Sequence, residues 1–281
     1  MGSPNGVQAA LSADWLAASR RAAAAARQAL ARYPELADRA RETGQGEGGD
    51  MTLAIDRAVE DAVLAELEAF GVGVGVVSEE RGTLDVAGGG PALVVLDPID
   101  GSLNAKRGLR PYALSLAVAS GDTMADVEFG YVSDLSGSDE WWALSGRGAF
   151  HDGRPLLPQA EPRLEILGVE SARPDLVESA IGALVGTGAR RLRMIGSVAV
   201  GLCAVAAAGF DAMVTLRPCR SIDAAAGQLI VREAGGSVAF PDAADGRLGA
   251  PLALDMRSRV LAAPNDELLA QLGALALAHS G

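Results

Sequence analysis

Apolar positions along this chain change their period repeatedly, and each change marks an expected element. Residues 7–42 read as a long helix, alanine-rich with arginines on a polar face and interrupted near Pro34. A flexible glycine-rich loop over 44–49 leads into a helix over 51–70, where Ile55, Val59, Ala62, Val63 and Leu67 recur at the spacing of one helical face. Short apolar runs separated by glycine-rich breaks predict strands at 73–77, 92–96, 113–119, 125–132 and 140–144. The proline-bounded segment 155–162 reads as a linker. Strands and helices alternate beyond it: strand 164–169, helix 174–186, strand 190–195, helix 197–208, strand 211–216, helix 223–234, strand 259–263 and helix 266–278. This order predicts an α+β sheet unit over 7–155 and an α/β half over 163–281.

At 281 residues the chain can bury a substantial core. Its net charge of −12 argues against a nucleic acid polymer or an anionic membrane as partner. It leaves a phosphate ester open, because bound cations reverse the local field of an acidic site. The two cysteines, Cys203 and Cys219, form no Cys-x-x-Cys pair, as expected of a reduced cytoplasmic protein. No apolar stretch reaches membrane-spanning length, and no secretory signal is evident. With only His151 and His279, a zinc site of the usual His/Cys kind lacks ligands, and no Gly-x-Ser-x-Gly elbow accompanies a Ser-His-Asp triad. Oxygen-only ligation is left, which favours magnesium, with manganese as the alternative.

The chemistry concentrates where apolar runs end. Leu93-Val94-Val95-Leu96 is followed by Asp97-Pro98-Ile99-Asp100-Gly101-Ser102-Leu103-Asn104. Two acids three apart across a proline can turn toward one point, where they shift each other's pKa unless a cation lies between them. Gly101 and Ser102 then open a short helix whose free N–H groups favour an anion. Taken alone, the segment also reads as an Asp-Pro turn with an aspartate cap. Three further acidic clusters stand at element ends: Glu79-Glu80 after Gly73-Val74-Gly75-Val76-Val77, Asp223 within Arg220-Ser221-Ile222-Asp223-Ala224-Ala225-Ala226-Gly227, and Asp50 with Asp56 around Thr52. Glu80 and Asp50 each read equally well as solvated or capping acids.

These motifs, in this order, resemble the inositol monophosphatase superfamily of magnesium-dependent, lithium-sensitive phosphatases. Glu79-Glu80, Asp97 to Asn104 and Ile222 to Gly227 match its three signatures. Gly48-Gly49-Asp50 with Thr52 and Asp56, Gly146-Arg147-Gly148-Ala149-Phe150, Gly196-Ser197 and Glu233-Ala234-Gly235-Gly236 also have counterparts. The likeness spans roughly residues 44–264. The Gly-x-Gly-Gly-Asp, Asp-Gly-Ser-x-Asn-Ala and Leu216-Arg217…Arg220 segments lean toward the archaeal-type branch, which often hydrolyses both inositol phosphate and fructose 1,6-bisphosphate.

The resemblance implies a layered α/β/α/β/α sandwich with its site between the halves, a homodimer, and a small phosphorylated sugar or polyol as substrate. Two or three magnesium ions per subunit are implied. Glu79, Asp97 and the carbonyl of Ile99 would hold the first; Asp97, Asp100 and Asp223 the second; Glu80 and Asp56 would orient waters or a weaker third. Thr52 and Ser102 would sit near the attacking water with Glu79 accepting its proton, and the Gly101 and Ser102 N–H groups would bind phosphate. Asn104, Gly196, Ser197, Thr215, Arg217 and Arg220 fall on the substrate side. Arg217 and Arg220 would contact a second phosphate or else pair with surplus acids, and Arg191 and Arg193 carry the same two readings.

Three positions depart from the inositol-specific pattern: Gln45 replaces a lysine, Thr215 an acid that contacts the inositol ring, and Ile222 a tryptophan. None is a metal ligand, so the departures put inositol specificity in doubt and leave hydrolysis intact. A 3′-nucleotide or pathway-specific metabolite phosphatase is the alternative within the class. A non-catalytic binding homologue is the alternative outside it.

Overall fold

The computed structural model describes residues 4–45, 47, 51–159 and 163–273, with the backbone alone at 4, 5, 45, 51 and 52. Helices α1 (Pro4–Leu11), α2 (Trp15–Leu30) and α3 (Leu36–Arg39) stand where one long helix was expected. The chain breaks after Leu11 because Asp14 turns its carboxylate back onto the Ala17 N–H and caps α2. It stops after Leu30 because Pro34 lacks an N–H and disfavours helix at Tyr33. Part of the expected loop is strand: β1 (Glu42–Gln45) pairs antiparallel with β2 (Met51–Leu53). The second helix accordingly starts later, as α4 (Ala54–Phe70), and ends on Gly71 at φ 75°.

The first large sheet comprises β3 (Val74–Ser78), β4 (Gly82–Val86), β5 (Leu93–Asp100), β6 (Ala113–Ala119), β7 (Val127–Asp134), β8 (Glu140–Leu144), β9 (Ala149–His151) and β10 (Arg154–Pro155). A short helix, α5 (Ser102–Arg107), follows β5. The strand order is β10-β9-β8-β7-β6-β5-β3-β4, antiparallel except for the β3–β5 pair. The second sheet takes β11 (Ile166–Glu170), β12 (Arg191–Arg193), β13 (Ala212–Thr215), β14 (Ser237–Ala239) and β15 (Leu261–Ala263) in the order β12-β11-β13-β15-β14. Helices α6 (Pro174–Gly186), α7 (Val198–Ala206), α8 (Ser221–Glu233) and α9 (Asp266–Gln271) are the remaining α-helices among the described residues. The end of the helix expected over 266–278 lies outside the described residues from 274 onward.

Side-chain alternation explains the layering. Along β6 every residue is buried: Ala113, Ala117 and Ala119 face one core, while Leu114, Leu116 and Val118 face another. A strand covered on both faces carries a continuous apolar run. The even-numbered face meets α2 and α4, whose small residues Ala22, Ala23 and Ala26 and branched residues Val59 and Val63 are fully buried. The odd-numbered face meets α7 and α8, and those helices pack in turn on Met213 of β13 and Ala262 of β15. The second sheet's outer face carries Leu167, Val169 and Val214 against Ala180 and Leu184 of α6 and Leu268 of α9. Five layers result, α/β/α/β/α, as the resemblance implied.

Candidate active site

The site begins with an irregularity in β5. Asp97 opposes Ser115 and Asp100 opposes Ala113, so three steps on β5 match two on β6. Pro98 cannot donate to a ladder, and the extra residue bulges the strand. The strand therefore runs past Leu96, where it was expected to end, and carries both acids with it. Asp97 Oδ1 accepts the Ile99 N–H at 3.0 Å, and the Ile99 carbonyl accepts the Ser102 hydroxyl at 2.9 Å. Gly101 then turns the chain at φ 94° into α5. A Cβ there would lie 2.9 Å from the Gly196 carbonyl oxygen and 3.2 Å from that of Pro111. Gly101→Ala should therefore cost about 1–3 kcal/mol through φ strain alone and lower the melting temperature by several degrees. An unchanged melt would mean that the turn yields.

The other acids arrive from separate elements. Glu79 and Glu80 occupy the turn between β3 and β4, Asp56 the first turn of α4, and Asp223 the first turn of α8. Glu79, Asp97, Asp100 and Asp223 line a cavity of about 250 Å³ with Ile99, Gly101, Ser102, Gly196, Ser197 and Arg220. Asp100 is held from across the molecule: it accepts the Ser197 hydroxyl at 2.5 Å, the Ala199 N–H at 2.7 Å and the Val198 N–H at 3.3 Å. It thus caps α7, a helix of the other half. Asp223 Oδ2 accepts the Arg220 N–H at 2.9 Å, and the Arg220 guanidinium bonds Glu79.

Burial dominates the electrostatics, because a carboxylate withdrawn from water favours its neutral form. It pushes Asp97 well above the usual range, with the charges of Glu79, Asp100 and Asp223 adding. It raises Asp100 to about 7, helped by Asp223 and opposed by the Ser197, Ala199 and Val198 donors. It raises Glu79 to about 8 against the pull of Arg220, and raises Asp223 as well. Asp56 also reaches about 7 by burial, and its Oδ1 is buried without a hydrogen-bond partner. Asp97 and Asp223 line the same cavity, and the charge of Asp223 is among the causes that raise Asp97. Two such acids share either a proton or a cation. The donors are all oxygens, a set suited to a hard divalent ion.

Not every expected residue reaches the cavity. Thr215 is fully buried in β13, and its hydroxyl accepts the Val260 N–H at 2.9 Å, so it belongs to the core and not to the substrate rim. Arg217 is exposed and outside the lining. Asn104 donates to the Pro111 and Ile195 carbonyls at 2.8 and 2.7 Å, a structural tie that occupies its amide. Glu80 and Asp56 are buried and are not part of the lining. Thr52 lies in β2 with its side chain outside the described residues, as is that of Gln45; Gly48, Gly49 and Asp50 lie wholly outside them.

Two acids escaped the sequence reading. Glu170 ends β11 at the cavity, and burial raises it to about 7 against the Ile195, Gly196 and Ser197 N–H groups. Glu60 of α4, fully buried, accepts the Ser78 hydroxyl and the Glu80 and Arg81 N–H groups, bracing the turn that presents Glu79 and Glu80. Glu170 had the same signal as Asp97, an acid closing an apolar run. A separate trio, Asp139, His151 and Asp152, gathers on the β8–β9 hairpin with His151 Nε2 2.9 Å from Asp139, away from the cavity lining.

Comparison with known proteins places this geometry. The model of the inositol monophosphatase family matches residues 12–279. A fructose-1,6-bisphosphatase/inositol-1-monophosphatase of Archaeoglobus fulgidus is 36% identical over 264 residues, covering 91% of this chain and 95% of the relative. Its counterpart from Methanothermobacter thermautotrophicus is 34% identical over 240 residues, covering 79% and 82%. The solved structure of an inositol monophosphatase from Anabaena superposes with a TM-score of 0.71 at 24% identity, over 93% of this chain and 94% of that one, and so shares the fold. With its acidic clusters converging on one cavity and the match running nearly end to end, the chain belongs to the inositol monophosphatase family.

Proposed function

We propose that this protein is a magnesium-dependent phosphomonoesterase of small sugar or polyol phosphates, with manganese able to substitute. The observation that carries the reading is the convergence of Glu79, Asp97, Asp100 and Asp223, from separate places in the chain, on one open cavity beside Arg220. Glu79, Asp97 and the Ile99 carbonyl would hold one ion, and Asp97, Asp100 and Asp223 a second; Glu80 and Asp56 would serve waters or a third. Bound divalent ions supply neutralising charge to the phosphoryl oxygens and make a neighbouring water acidic. The protein's own part is to orient and to move protons. A Glu79 carboxylate oxygen takes the proton of the attacking water, the Ser102 hydroxyl turns from the Ile99 carbonyl to steady that water, and the Gly101 and Ser102 N–H groups receive the phosphate. The Thr52 hydroxyl joins Ser102 by family likeness.

Selectivity follows from what Thr215 cannot offer. Its hydroxyl is bonded within the core, so no side chain at that position discriminates a polyol hydroxyl. Arg220, whose guanidinium also bonds Glu79, stands at the cavity instead. Fructose 1,6-bisphosphate should therefore be hydrolysed more efficiently than inositol 1-phosphate or adenosine 3′-phosphate. Arg220→Ala should reduce bisphosphate efficiency about tenfold more than that for inositol 1-phosphate, the worth of a charged hydrogen bond. Phosphate release across the three substrates tests this. A clear lead for inositol 1-phosphate, or ratios unmoved by the substitution, would reject the specificity. The reading also includes a cytoplasmic homodimer, to be checked by mass in solution. No helix among the described residues is long and apolar enough to cross a membrane.

A further inference from the structure

Glu170 is a carboxylate 1% exposed, inside a protein, at the edge of an already acidic cavity. Such a charge is retained only where its hydrogen bonds offset its desolvation. Its two oxygens are divided between consecutive amides: Oε1 accepts the Ile195 N–H at 2.9 Å and Oε2 the Gly196 N–H at 2.8 Å. The same short turn is gripped elsewhere by Asn104, which donates to the Ile195 carbonyl at 2.7 Å. Gly196 itself sits at φ 80°, with a would-be Cβ 2.8 Å from Asn104 Nδ2, so the turn has little room to drift. The next three residues, Ser197, Val198 and Ala199, supply the donors that hold Asp100. Five consecutive residues therefore lie between two acids, Glu170 gripping the first two and Asp100 gripped by the last three.

From this arrangement we infer that Glu170 is a positioning residue for the metal centre: by anchoring the 195–196 amides it sets the first turn of α7, and through that turn the place where Asp100 presents its carboxylate. Glu170 acts through that turn, since both of its oxygens are committed to backbone N–H groups. Two charge-assisted bonds from one rigid carboxylate fix both the position and the tilt of the turn. A glutamine of the same shape offers one acceptor and one amide NH₂, and the latter opposes a backbone N–H. The turn must then shift at one of its two anchors. The inference rests on the metal-dependent reading above and adds to it a residue that acts on the site through the 195–199 turn.

The test is a titration of metal-free wild type, Glu170→Gln and Glu170→Asp with magnesium and with manganese, read as the shift in melting temperature and as affinity by calorimetry. Loss of a partner that orients a metal ligand typically costs about 10- to 100-fold in metal affinity, and that loss is expected for Glu170→Gln. Turnover at saturating metal should recover to within a few-fold of wild type. Glu170→Asp keeps both acceptors and should restore part of the affinity. It also supplies the comparison with wild type should the glutamine variant fail to fold. A merely structural role would lower the metal-free melting temperature of the variants and leave metal affinity unchanged, and that result overturns the inference. Wild type showing no metal-dependent shift would instead overturn the metal-centre reading itself, and the inference with it.

Discussion

Asp97→Asn should lower turnover about a thousandfold or more, while the metal-free protein becomes no less stable and melts higher at alkaline pH. The first effect follows because Asp97 is the acid that meets Glu79, Asp100 and Asp223 at once, so its removal takes charge from the centre of the site. Electrostatic stabilisation is usually the largest part of such catalysis, and a thousandfold corresponds to about 4 kcal/mol. The second follows from burial. Asp97 is 2% exposed and its carboxyl is pushed well up, so without a cation its charge opposes folding. Asparagine keeps an acceptor for the Ile99 N–H and drops the charge. Steady-state phosphate release and thermal melts in chelator check both halves. Near-normal turnover in a well-folded variant would reassign Asp97 to a structural turn. Asp223→Asn should behave alike in turnover.

Excess chelator should reduce hydrolysis to background and also change how stability depends on pH. Glu79 is raised to about 8, and Asp100 and Asp56 to about 7, all above their values of about 4 in an unfolded chain. Between those limits the folded state binds more protons than the unfolded state, so the contribution is fully present below about pH 4 and is lost as pH rises through 7 to 8. Metal-free protein should melt at least about 5 °C lower at pH 8.5 than at pH 6, given about 2–4 °C per kcal/mol in domains of comparable size. Added magnesium competes with the protons and should close most of that gap. Undiminished hydrolysis in chelator, with bound metal measured near zero, would sink the metal-dependent reading. A flat profile in chelator would show that burial does not raise these acids in the folded protein.

Much of this was legible because the informative residues are neighbours in sequence. Asp97 to Asn104 carry two acids, a proline, a glycine and a helix start within eight positions, and an apolar run before them says where they stand. The layers were legible through the resemblance, and the alternation in the second half is consistent with them. What stayed hidden depends on distant partners. The capping of α7 by Asp100 joins residues about a hundred positions apart, and no local pattern announces it. Glu170 closes an apolar run as Asp97 does, but it stands alone, with no second acid or glycine turn beside it to mark a site. Glu60 sits between Val59 and Asp61 on a helix and looks like the edge of its polar face. The strand β4, with Thr83, Leu84 and Asp85, has no apolar run and is formed by its pairing with β3. The alanine-rich start favours helix at nearly every position, so composition hid a break that one capping aspartate makes. Thr215 was expected at the rim because it matches the family position of an acid that contacts the inositol ring, and the sequence does not show the Val260 N–H that donates to its hydroxyl.

The middle layer has a consequence for how this fold can be recombined. The segment around 155–162 is an inviting place to join the front of this protein to the back of a relative, because both sheets would survive the splice intact. Yet α7 and α8, encoded after the join, pack against side chains of β6 and β7 encoded before it. A chimera would therefore inherit two ready-made sheets and one mismatched seam between them. Its success should follow the fit of a handful of small residues there, such as Gly130 against Ala226, where an added Cβ would come within 2.7 Å of backbone oxygen. Overall percentage identity between the parents should be the poorer guide.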